Sequence, residues 1–223
     1  MPIENFQIIV PAHNEAKQIN QCIETLELLY PQATITIATD GNSDGTAEIA
    51  LEQALQHPNI FVQSFPFRIG KGAAIKEAIL TDLTNVFIDA DLAVNPYAIT
   101  PLVKIAQTTN GLAIAQRILQ NRNKKRTILS NIYNNLIQLF FHTKIKDHQC
   151  GCKALSPKAS AIALTVEAND FFFDTELIIK CKQVNIPITE YPVSWTEYKT
   201  KSTVNTTKDS WKMLKQLIQL RLK

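Results

Sequence analysis

No stretch of this chain approaches the ~20 consecutive apolar residues that a membrane-crossing helix requires, so any contact with a bilayer is expected to be peripheral. The opening Met1-Pro2-Ile3-Glu4-Asn5 leads straight toward a strand pattern. It lacks the charged start, apolar stretch and cleavage site of a secretory leader. Only four cysteines occur, Cys22, Cys150, Cys152 and Cys181. They form no CxxC pair and no zinc-finger spacing, so neither a disulfide framework nor a metal knuckle is suggested, and reduced intracellular thiols are expected. Charge bias is equally scarce: 23 Lys and Arg against 20 Asp and Glu leave a net charge of +3, too little for a nucleic-acid binder that works through its whole surface. There is no internal repeat and no low-complexity tract.

What the chain does contain is apolar residues, 45% of 223, enough for one substantial core. The expected division is a single α/β domain over residues 1–205 and a basic amphipathic helix over residues 206–223. Between Thr207 and Lys223 five cations stand against Asp209 alone. In the first half, short β-branched runs alternate with longer amphipathic stretches, the mark of a mostly parallel sheet with crossover helices. Strands are expected at Gln7–Pro11, Thr34–Thr39, Ile60–Ser64, Asn85–Asp89 and Leu112–Gln116. Helices are expected at Glu15–Leu29, Thr46–Leu55, Lys71–Leu80 and after Pro96. Beyond Gln116 the pattern predicts a basic loop, a helix from Thr127 to about His142, a loop holding Asp147 to Lys153, a helix around Asp174–Lys182, a strand at Ile188–Val193 and the tail helix.

Ligands of open α/β sheets sit outside the carboxyl ends of the strands. Three polar motifs fall there: Pro11-Ala-His-Asn-Glu15, Asp40-Gly-Asn-Ser-Asp-Gly-Thr46 and Asp89-Ala-Asp91. Asp89 and Asp91 place two hard oxygen ligands two residues apart, which suits Mg²⁺ or Mn²⁺ bridging a diphosphate, or else a solvated turn. The Asp40–Thr46 segment fits close passage of backbone beside a ribose or base, though such residues also dominate ordinary turns, and Ser43 or Asp44 could simply cap the next helix. Gly70-Lys71-Gly72 opens a helix whose N–H groups, with Lys71, could face a phosphate; its spacing is not that of a P-loop, and a surface turn is the alternative.

Taken in order and spacing, these motifs resemble the nucleotide-sugar half of family 2 inverting glycosyltransferases. Asp147-His-Gln-Cys-Gly-Cys-Lys153, Phe172-Phe-Asp174-Thr-Glu176-Leu and Pro192-Val-Ser-Trp195 extend the likeness to dolichyl-phosphate glucosyltransferases and their mannosyltransferase relatives. The resemblance implies a GT-A fold, with Pro11, Asn14, Glu15, Asp40 and Lys71 around the nucleotide sugar. Asp89 and Asp91 would hold metal and diphosphate. Arg117, Asp147 and Lys153 would join Asp91 at the chemistry, and Arg126, Gln149, Asp174 and Glu176 would lie toward the acceptor. Three positions depart from the family pattern: Thr39 stands where an aspartate is frequent, His13 where a tyrosine is usual, and Lys201 within an altered Ser-Lys segment.

The expected reaction moves a hexose from a nucleotide diphosphate sugar, by family weight UDP-glucose and then GDP-mannose, to a polyprenyl phosphate. A lipid phosphate is already an anionic nucleophile, whereas a sugar hydroxyl would need a base such as Asp147 or Asp174. The helices after Thr127 and Thr206 are apolar along one face and bordered by cations, which suits the cytoplasmic face of an anionic membrane; core packing or a dimer interface would use the same pattern. A soluble enzyme acting on a hydroxyl acceptor, a noncatalytic nucleotide-sugar-binding subunit and, last, a nucleotidyltransferase are the competing expectations.

Overall fold

The computed structural model describes residues 5–118, 124–196 and 206–222, with the side chains of 124–129 and 206–211 outside that description. Among the described residues seven strands form one sheet: β1 (Phe6–Ala12), β2 (Thr34–Asp40), β3 (Ile60–Phe65), β4 (Thr84–Ile88), β5 (Leu112–Ile118), β6 (Cys152–Leu155) and β7 (Ile188–Ser194). Their spatial order is β3-β2-β1-β4-β6-β5-β7. Only β6 runs against its neighbours, pairing antiparallel with both β4 and β5. The expected mostly parallel α/β sheet is therefore what the chain forms.

The inner strands β1, β2, β4 and β6 and the first part of β5 are buried along most of their length, because helices cover both faces. Alternate residues supply two separate cores. Ile8, Val10, Ile35, Ile37, Val86 and Ile88 point to one face. There they meet α1 (Ile19–Leu29) through Ile19, Cys22, Ile23 and Leu26, and α4 (Ile99–Thr109) through Ile99, Leu102, Val103 and Ala106. Ile9, Phe87, Leu112 and Ile114 point to the other face. That second core is closed by α3 (Lys71–Ala78), α5 (Lys124–Phe141), α6 (Pro157–Leu164), α7 (Phe173–Gln183) and α8 (Thr206–Leu222). Helix α2 (Thr46–Gln56) lies beside α1 and β3.

Three local expectations change. Helix α1 begins at Ile19, since Glu15–Gln18 form a turn in which the Glu15 carbonyl accepts from Gln18 and Ile19. Helix α5 begins at Lys124, inside the segment expected to be a basic loop. The stretch expected as a loop up to Lys153 instead enters β6 at Cys152. Its Cys-Lys-Ala-Leu has no alternating pattern, because the strand lies between β4 and β5 with every residue buried.

Helix α8 is packed rather than detached. Leu217 is fully buried in the second core, with Met213 and Leu220 against it, and the helix lies on α5. On α5, Ile137 is buried and Tyr133, Leu136, Phe140 and Phe141 pack inward, leaving Ile132 and Leu139 exposed. Among the described residues no helix is long and apolar enough to cross a membrane.

Candidate active site

Strands β2 and β4 lie on opposite sides of β1, so the chain's direction of winding reverses there and a crevice opens at the carboxyl ends. The crevice is a cleft of about 1020 Å³. Its walls include Pro11, Asn14, Glu15, Asp40, Lys71, Asp89 and Asp91, all expected from sequence, together with Arg68, Trp195 and Lys212.

The first two loops are stitched to each other. Asn14 takes a left-handed backbone conformation, φ 57°, which asparagine tolerates better than most residues. Its N–H donates to Asn42 Oδ1 at 2.7 Å, and its Oδ1 accepts from Ser43 N at 2.9 Å. Glu15 N donates to Thr46 Oγ1 at 2.8 Å, and Asp44 accepts from Ala16 N at 3.1 Å and from Thr46. Asp44 thus organises the turn ahead of α2, the alternative open from sequence. His13 links two further pieces: Nδ1–H donates to the Asp40 carbonyl at 2.5 Å, which leaves Nε2 to accept from Arg68 Nη1 at 2.8 Å. The Asp40 carboxylate accepts from Ile69 N and, at 3.0 Å, from Gly70 N. It therefore fixes the entry to α3. Gly70 itself sits at φ 95°, where a Cβ would lie 2.2 Å from the Asn169 carbonyl oxygen.

The acidic pair follows β4. Asp91 accepts from Ala93 N at 3.0 Å. Thr196 N bonds to the Ala93 carbonyl at 2.9 Å and Val94 bridges to Trp195, which brings the end of β7 to the cleft. Asp89 pairs with Lys71 Nζ at 2.7 Å, and Lys71 also lies 3.7 Å from Asp174. Gly151 presses on Asp89 from behind: a Cβ there would stand 1.7 Å from Asp89 Oδ2. Sequence reasoning did not single out Gly151, Arg68 or Lys212. The Gly between two cysteines was the one available signal, and Arg68 and Lys212 carry no motif.

The charge balance of the cleft favours a cation. Burial, then Asp91, Asp89 and Asp44, push the Glu15 carboxyl up to about 7. Burial first, and Asp89 in addition, raise Asp91 despite its bond from Ala93. Among the described residues no three His, Cys, Asp or Glu side chains are arranged to hold a metal ion. The donor set of Asp89 and Asp91 nevertheless fits Mg²⁺ or Mn²⁺, hard ions commonly held by one or two carboxylates, with substrate phosphates and water completing the shell.

The remaining expected residues form a layer behind the cleft. Arg117 grips Asp147 in a fork, Nε to Oδ2 and Nη2 to Oδ1 both at 2.7 Å, and faces the Trp195 ring at 5.8 Å. Burial alone would raise the Asp147 carboxyl, but the Arg117 fork outweighs it and holds the group below the usual range. Lys153 is fully buried on β6 and donates to Asp174 and, at 2.7 Å, to the Cys150 carbonyl. Gln149 Nε2 donates to Thr175 Oγ1 at 2.6 Å. Glu176 accepts from Glu167 N and Ala168 N, each at 2.9 Å, and so holds the 167–171 loop that walls the cleft. Arg126 lies on α5 with its side chain, like the whole of Lys201, outside the described residues. Thr39, the position of the departing aspartate, is fully buried.

Residues 7–162 match the family described as Glycosyl transferase family 2. The chain belongs to that family. The chain is 33% identical over 204 residues to glycosyltransferase AglD of Haloferax volcanii, covering 84% of the chain but 32% of that protein. It is 31% identical over 212 residues to dolichyl-phosphate beta-glucosyltransferase ALG5A of Trichomonas vaginalis, covering 86% and 66% respectively. The chain thus spans about a third of the first relative and just under two thirds of the second. Among solved structures, glucosyl-3-phosphoglycerate synthase from Mycobacterium tuberculosis in complex with Mn²⁺, UDP and phosphoglyceric acid aligns with a TM-score of 0.76 at 20% identity, covering 97% of this chain and 78% of that one. Mannosyl-3-phosphoglycerate synthase from Rubrobacter xylanophilus aligns at 0.73 and 15%, covering 98% and 74%. The fold of the chain is GT-A.

Proposed function

We propose that this glycosyltransferase moves a hexose, with inversion, from a nucleotide diphosphate sugar to a polyprenyl phosphate at the cytoplasmic face of a membrane. UDP-glucose is the first choice of donor and GDP-mannose the second. The observation that carries the reading is the acidic pair Asp89 and Asp91 at the mouth of a cleft whose other walls include the loops after β1 and β2 and the start of α3. The dolichyl-phosphate beta-glucosyltransferase relatives support the acceptor.

In this reading Pro11, Asn14, Glu15 and Asp40 shape the nucleotide side, and Asp89 and Asp91 hold Mg²⁺ or Mn²⁺. A divalent ion bound there offsets the charge that develops on the departing diphosphate. The protein's remaining task is to position an acceptor that is already an anionic nucleophile. The two carboxylates that the sequence offered as bases suit that task better than proton abstraction, since Asp147 is forked by Arg117 and Asp174 is paired with lysines. Arg117 and Arg126 are the proposed cations toward the acceptor phosphate, with Gln149, Lys153, Asp174 and Glu176 supporting that side.

The test is transfer of labelled sugar from UDP-glucose and, in parallel, GDP-mannose into butanol-extractable polyprenyl phosphate, with Mn²⁺ or with chelator. Metal-dependent label in the lipid is expected, and Asp91→Ala is expected to lower it on the order of a hundredfold or more. Label appearing instead in a water-soluble saccharide or phosphorylated hydroxyl compound would transfer the assignment to a hydroxyl acceptor.

A further inference from the structure

We infer that Lys71 is a resident counter-ion for Asp89 that passes to Asp174 when a divalent cation arrives, so that Asp174 and Lys153 set how strongly the acidic pair takes that cation. This rests on the reading of Asp89 and Asp91 as the ligands.

Four charges alternate from the cleft inward: Asp89, Lys71, Asp174 and Lys153. Lys71 Nζ stands 2.7 Å from Asp89 Oδ1 and 3.7 Å from Asp174 Oδ2. The Asp174 carboxylate is 3% exposed and Lys153 not at all, against 46% for Asp89. A buried ion pair is weak evidence for stability, because desolvation of both partners offsets much of their attraction. The position of this pair suggests a use. Asp174 turns one oxygen to Lys153 and leaves Oδ2 directed at Lys71.

The geometry also says which partner moves. Gly151 backs Asp89 so closely that the carboxylate has no room to retreat. Asp174 is anchored by Lys153, which is itself anchored by the Cys150 carbonyl. Lys71 begins α3 on a flexible four-carbon stem, with the Phe87 ring 5.9 Å away. Closing its gap to Asp174 to the about 2.8 Å of a charge-assisted hydrogen bond is a small rotation of that stem. Without the second seat at Asp174, an incoming cation would have to expel an ammonium into a cleft it already occupies, and like charges would oppose binding.

The test is Mn²⁺ titration of the full chain, followed by electron paramagnetic resonance, with and without UDP. Lys71→Met is expected to bind Mn²⁺ more tightly on the order of tenfold, and Asp174→Asn more weakly by a comparable factor, the size of a typical coupling between sites. In the double variant the Asp174→Asn effect should vanish, since no lysine is left to seat. An Asp174→Asn effect that persists in the Lys71→Met background would make Asp174 merely structural and overturn the inference. So would Lys71→Met binding Mn²⁺ no more tightly than wild type. If Asp174→Asn fails to fold, Lys71→Met still decides, because its removal leaves Asp174 paired with Lys153. Mn²⁺ binding that Lys71→Met leaves unchanged overturns this inference alone; no Mn²⁺ binding by any form, even with UDP, overturns it together with the metal reading above.

Discussion

His148 has no exposed surface, and its ring is fully engaged in the neutral state: Nδ1–H donates to Asn134 Oδ1 at 2.9 Å and Nε2 accepts from Thr143 Oγ1 at 2.9 Å. Burial, with Lys153 adding to it and Asp147 opposing, lowers its pKa to about 4. Between pH 4 and 6.5 the unfolded chain therefore binds the extra proton, and stability is lost as pH falls. Going from pH 7 to 5 this one residue costs about 2 kcal/mol. Glu15 acts in the opposite sense. Its carboxyl, raised to about 7, stays protonated in the fold while the unfolded group ionises, so its contribution is present at low pH and is lost as pH rises from about 4.5 to 7. Two variants separate these effects under chelator. In urea titrations at pH 5, 6 and 7, His148→Gln should become less stable as pH rises, and Glu15→Gln less stable as pH falls. Identical pH slopes in the two variants would refute the assignment. Neither effect was legible beforehand: His148 sat within a motif expected as loop, and nothing near it in sequence announces Asn134 or Thr143.

Among the elements, α7 links the buried layer to the cleft. Its first turn carries Asp174 and Glu176, which the family resemblance puts toward an acceptor and which accept bonds from other parts of the fold. Glu176 satisfies two backbone N–H groups of the 167–171 loop and pairs with Lys180 at 3.1 Å. A glutamine at that position can accept through only one of its two atoms. Glu176→Gln should therefore leave one N–H unsatisfied and cost roughly 1–3 kcal/mol, with KM for the acceptor rising more than kcat falls, as read from thermal melts and initial rates. An unchanged KM would mean that the loop does not shape the acceptor side. Helix α8 makes a second link, through Lys212 Nζ to Asp170 Oδ2 at 2.6 Å, and its buried Leu217 contributes about 1.5–3 kcal/mol by exclusion from water. Deleting the helix would therefore unmake a wall of the cleft as well as any lipid contact.

For the whole molecule, the proposed membrane surface has to be tested without disturbing that packing. Ile218 and Leu222 of α8 are 47% and 82% exposed, and Leu139 on the neighbouring α5 is 66% exposed. Replacing Ile218 and Leu222 with glutamate should reduce cosedimentation with anionic vesicles several-fold while leaving the melting temperature within about 2 °C, since surface substitutions usually change stability by under about 0.5 kcal/mol. Undiminished cosedimentation would place the lipid contact elsewhere. The sequence by itself determined the sheet, its parallel character and the edge that holds the cleft, because strands buried on both faces must be continuously apolar and polar loops must follow their carboxyl ends. It also marked Asp89 and Asp91, whose spacing is local. Only the tertiary structure decided that Cys152–Leu155 is a strand between β4 and β5, that Arg117 and Asp147 form one fork, and that Lys71 joins Asp89 to a buried Asp174 and Lys153. Those facts depend on residues 18 to 103 positions apart meeting across the sheet. Burial of a charge is repaid only by a partner that the fold brings to it, and no local pattern encodes that partner.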